Sequence, residues 1–77
     1  MIPSIADMLI HINENLDHYH QESVSDSVRE VDGVFSASIQ ERKPHLMLVA
    51  YNPDRTSSLS IMHQVTHSGM HAQLIGL

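Results

Sequence analysis

Apolar positions recur along this chain in six separate stretches, each with a period that predicts its conformation. Met8 to Ile12 places Ile10 and Ile12 on one face, the two-residue repeat of a strand. From about Gln21 to Val31, the valines 24, 28 and 31 recur at helical spacing on an otherwise polar segment. Intrinsic helix propensity there is weak, so burial of the valine stripe has to hold the helix. Asp32-Gly33 supplies the turn that ends it. Val34 to Ile39 and Leu46 to Tyr51 read as two antiparallel strands joined by the polar loop Gln40-Glu41-Arg42-Lys43-Pro44. Asn52-Pro53-Asp54 breaks the second of them, and Thr56 or Ser57 caps a second helix running to about His67, with Ile61, Met62 and Val65 as its buried stripe. Ser68-Gly69 closes that helix, and Ala72 to Leu77 reads as a last apolar strand.

The resulting order, β-α-β-β-α-β, predicts an α+β ferredoxin-like sandwich: a four-stranded antiparallel sheet with two helices on one face. Residues 1–77 leave room for one domain and one modest core. With both helices on one side, Leu46 and Leu48 face opposite to Met47, Val49 and Tyr51, which puts apolar side chains on the open face of the sheet. An exposed patch of that kind suggests a partner.

Composition narrows the function classes. The chain has no cysteine, which removes disulfides, thiolate metal sites and cysteine nucleophiles together. Nine acidic against four basic residues give a formal charge of -5, and only Arg42-Lys43 cluster, so nucleic-acid binding, which depends on phosphate neutralisation, is not expected. The apolar runs are too short for membrane insertion, and the reading is a soluble, cytoplasmic protein. No strained Gly-x-Ser-x-Gly turn is present, and a four-stranded domain of this size encloses little volume for a substrate, so an enzyme is not expected. The unusual feature is seven histidines, at positions 11, 18, 20, 45, 63, 67 and 71.

Several segments together resemble the heavy-metal-associated domain family. Asp32-Gly33-Val34 followed by Ser36-Ala37-Ser38-Ile39 is similar to the family's Gly-Val turn and second strand. Tyr51-Asn52-Pro53 and Thr56-Ser57 resemble the stretch before its second helix, and Gly69-Met70-His71-Ala72-Gln73-Leu74-Ile75 resembles its Gly-aromatic-x-Ala ending. The resemblance covers roughly residues 8 to 76, taking order and spacing of the motifs together. It implies a metal-handling role, either as a metallochaperone or as the soluble metal-binding domain of a metal transporter.

The family's Gly-Met-x-Cys-x-x-Cys metal loop is where this chain departs, reading Glu14-Asn15-Leu16-Asp17-His18-Tyr19-His20-Gln21. Counting back from Gly33-Val34 sets Asp17 and His20 at the cysteine positions, whereas taking Leu16 for the family's core Met moves the first ligand to His18. The expected metal site is therefore Asp17, His18 and His20 in the loop between the first strand and first helix. Imidazole and carboxylate favour a divalent transition metal ion, Zn, Ni, Co or Cu(II), over Cu(I). At most three protein ligands leave open positions, which suits a site that passes its ion to a metal transporter or other metal-handling protein. The resemblance also places Met70 near the loop, with His71 one residue further on. The alternative is a degenerate member of the family that binds no metal and acts by protein contact or as a homodimer, its loop histidines being solvated surface residues. His63 and His67 stand at i, i+4, a spacing that chelates metal but reads first as a solvated helix face. His11 is expected to point away from the core, and His45 opens a strand beside Pro44.

Overall fold

The computed structural model describes residues 4–76, in which the elements follow one another as β1 (Ala6–Ile12), α1 (His18–Arg29), β2 (Val34–Ile39), β3 (Leu46–Tyr51), α2 (Ser58–His67) and β4 (Ala72–Gly76). The strands form one antiparallel sheet in the order β2-β3-β1-β4. Strand alternation decides which side is covered. Met8, Ile10 and Ile12 of β1 and Met47, Val49 and Tyr51 of β3 are buried together with Val24 and Val28 of α1 and Ile61 and Val65 of α2, in a single core. Burial of one strand parity only means that both helices lie on the same face, as the β-α-β-β-α-β pattern requires. Leu48 points to the other face and is 43% exposed, and the neighbouring Leu46 is half-buried. No helix among the described residues is long and apolar enough to cross a membrane.

Three boundaries differ from those the pattern predicts. β1 begins at Ala6 because its ladder to β3 extends to the Ala6–Tyr51 pair, beyond the reach of the apolar run. Val31 is only half-buried, since α1 ends at Arg29 and the chain is already turning at that point. Gly33 makes that turn possible: its φ is +101°, and a Cβ there would sit 2.8 Å from Cβ of Arg55. At the other end of α1 the helix starts three residues earlier than the valine stripe suggests, with Asp17 as its N-cap. The last residue of the predicted final strand, Leu77, lies outside the described residues.

The topology brings one set of connections to a common end. Ile12 closes β1 opposite Ala72, its N–H donates to the carbonyl of His45, and the Asn13 N–H donates to the carbonyl of His71. The start of α1, the loop before β3 and the turn between α2 and β4 all gather there. Six of the seven histidines, 11, 18, 20, 45, 67 and 71, occupy these connections or the strand and helix ends beside them, and His63 lies one helical turn back along α2. The opposite end carries no histidine and is tied by Arg55 to Asp32 at 3.3 Å.

Candidate metal site

Local chemistry explains how the chain enters α1. A helix start leaves its first N–H groups without intrahelical partners, and a carboxylate at the N-cap satisfies one of them. Asp17 does so through Oδ1, which accepts from the His20 N–H at 2.8 Å. The same oxygen accepts a second hydrogen bond, from Nδ1 of the His20 imidazole at 2.7 Å. The backbone bond first, and the imidazole bond second, hold the Asp17 carboxyl below its ordinary range, so it is ionised at neutral pH. Both bonds fall on Oδ1, which leaves Oδ2 open to solvent or to an ion.

Because α1 starts at His18, two of the three expected ligands are helical rather than in a loop. Positions two apart on a helix do not face each other. Asp17 and His20 are thus brought together, while His18 projects from another side of the first turn. All three are exposed. Among the described residues, no three His, Cys, Asp or Glu side chains close into a cage for a metal ion. Leu16 packs partly against the core and Asn15 is exposed.

A second carboxylate–imidazole pair stands behind this turn, and no spacing in the sequence announces it. Glu14 accepts from the His71 N–H at 2.8 Å and from its Nδ1 at 2.6 Å, across 57 residues of chain. The imidazole bond first, then the backbone bond, hold the Glu14 carboxyl below its ordinary range. Together with the Asn13–His71 backbone bond, this clamps the segment between β1 and α1 to the turn before β4. It is His71 that reaches that segment; Met70 packs partly against the core and lines a depression with Asn13 and His71. The only sequence signal for this proximity was the family resemblance of the closing segment.

His11 and His45 form a further pair. Their rings stack with centroids 5.5 Å apart and planes 18° from parallel. His45 Nδ1 donates to the Ile12 carbonyl at 2.7 Å, and His11 Nδ1 donates to Asn13 Oδ1 at 3.1 Å. A carbonyl or carboxylate oxygen can only accept, so His11, His20, His45 and His71 all carry a proton on Nδ1.

No protein-family model matches the sequence, and no curated protein is similar to it in sequence. Solved structures share its fold. A copper-binding domain from HMA7, a P-type ATPase, superposes with a TM-score of 0.83 at 18% identity, over 91% of this chain and 93% of that one. The N-terminal domain of a potential copper-translocating P-type ATPase from Bacillus subtilis, in its Cu(I)-loaded state, gives 0.85 at 18%, over 95% and 90%. Oxidized MerP from Ralstonia metallidurans CH34 gives 0.82 at 11%, over 92% and 97%. At these identities the likeness is one of fold, and it is the ferredoxin-like fold that the hydrophobic pattern predicts.

Proposed function

We propose that this domain binds a divalent transition metal ion at the start of α1 and passes it to a metal transporter or another metal-handling protein in the cytoplasm. The observation that carries the reading is the Asp17–His20 pair. Its Oδ1 and Nδ1 are 2.7 Å apart; two ligands of a tetrahedral ion with metal bonds of about 2.0–2.1 Å stand roughly 3.3 Å apart, so a parting of about half an ångström between these exposed side chains admits the ion. An ion takes the place of the proton these atoms share, and the imidazole proton moves to Nε2. His18 joins when the exposed first turn loosens, and water or the receiving protein completes the shell. Three features support this: the fold is shared with metal-binding domains, the pair sits where the resemblance puts the metal loop, and the ligand atoms are hard or borderline. The dipole at a helix N-terminus disfavours a bare cation, and the ionised Asp17 carboxylate offsets it. The result is a weak site with open positions, suited to exchange rather than storage.

Titration of the metal-free protein with Zn, Ni, Co and Cu(II), followed by amide and imidazole NMR, tests the reading. Resonances of residues 16–21 are expected to move with one ion per chain. Imidazole must be unprotonated to ligate, so affinity at this site is expected to fall as the solution is made acidic. Absence of any shift at residues 16–21 at millimolar metal would favour the protein-contact alternative.

A further inference from the structure

We propose that His63 and His67 form a second divalent-metal site, on the outer side of α2 and independent of the site at Asp17. The helix spans Ser58–His67 without a break, so the two imidazoles rise from the same face one turn apart. Both are exposed, and they line one surface depression with Ser60, Gln64 and Thr66. Among the described residues neither imidazole is engaged in a hydrogen bond or ion pair, in contrast to His11, His20, His45 and His71. The polar neighbours are committed elsewhere. Gln64 Nε2 donates to Ser27 Oγ at 2.7 Å, and Thr66 Oγ1 donates to the carbonyls of Met62 and His63.

Two nitrogen ligands free to turn onto one ion, with water filling the other positions, make an i, i+4 chelate. The field of the helix also differs from that at Asp17. His67 is the last helical residue, and the C-terminal end of a helix favours a cation where the N-terminal end of α1 opposes one. For a pair of imidazoles the order of affinity is Cu(II) above Ni(II) and Zn(II).

The test uses the full chain with His18→Ala and His20→Ala, so that failure of the first site leaves the result unaffected. Cu(II) titration is expected to show one nitrogen-ligated ion by electron paramagnetic resonance and to broaden amide signals centred on residues 60–68. Adding His63→Ala and His67→Ala is expected to remove it. A spacing control, His63→Ala with Leu59→His, keeps two histidines on the exposed face but sets them about 12 Å apart along the helix. Since Leu59 is 66% exposed, the core is untouched, and loss of the chelate is expected to weaken Cu(II) binding roughly a hundredfold. Broadening that spares α2, affinity unchanged by the spacing control, or Zn(II) binding more tightly than Cu(II) would overturn the proposal.

Discussion

Replacing Ile61 by alanine is expected to destabilise the domain by about 2–5 kcal/mol, the usual cost of emptying a fully buried aliphatic site. Ile61 is 0% exposed and belongs to the same buried cluster as the β1 and β3 residues. A domain of this length holds only about 4–12 kcal/mol of stability in total, at roughly 0.05–0.15 kcal/mol per residue. The urea midpoint should therefore fall steeply. Leu59→Ala, on the exposed side of the same helix, provides the contrast and should stay within about 0.5 kcal/mol of the parent. Equal urea midpoints for the two variants would contradict the packing described above.

The second large effect concerns metal. His18→Ala together with His20→Ala is expected to abolish binding at the start of α1 while leaving the fold intact. Both side chains are exposed, and the Asp17 cap on the His20 N–H is a backbone contact that survives the change. The complementary variant, His63→Ala with His67→Ala, should leave metal-induced shifts at residues 16–21 as they were. Isothermal titration at pH 7.5 with residue-resolved NMR separates the two sites. Metal-induced shifts at residues 16–21 that persist in the first double variant would show that His18 and His20 are not the ligands.

The fold was largely legible because β1 and β3 bury every second residue. Met47, Val49 and Tyr51 against Leu46 and Leu48 declare the buried face without ambiguity. The helical stripe was less exact. Val31 continues the periodicity of Val24 and Val28, but the chain leaves the helix at Glu30 and turns toward Gly33, so spacing alone overextended the buried set. The start of α1 was misplaced for the opposite reason: His18-Tyr19-His20 carries no apolar stripe, and only the capping chemistry of Asp17 marks the helix there. At the site, the sequence brought Asp17 and His20 into view through their positions, whereas the divergence of His18 follows from helix geometry that begins where a loop was expected. The Glu14–His71 clamp was invisible to any local pattern. Its partners meet only because β4 returns beside β1.

The most direct test of metal binding at Asp17 and His20 is the tautomer of His20, read from imidazole nitrogen shifts with and without Zn(II) at pH 7.5. In the metal-free protein the proton belongs on Nδ1, donated to Asp17 Oδ1. With one equivalent of Zn(II) bound, Nδ1 is expected to carry the metal and Nε2 the proton. A His20 that keeps its Nδ1 proton while Zn(II) shifts the amides of residues 16–21 would contradict the assignment.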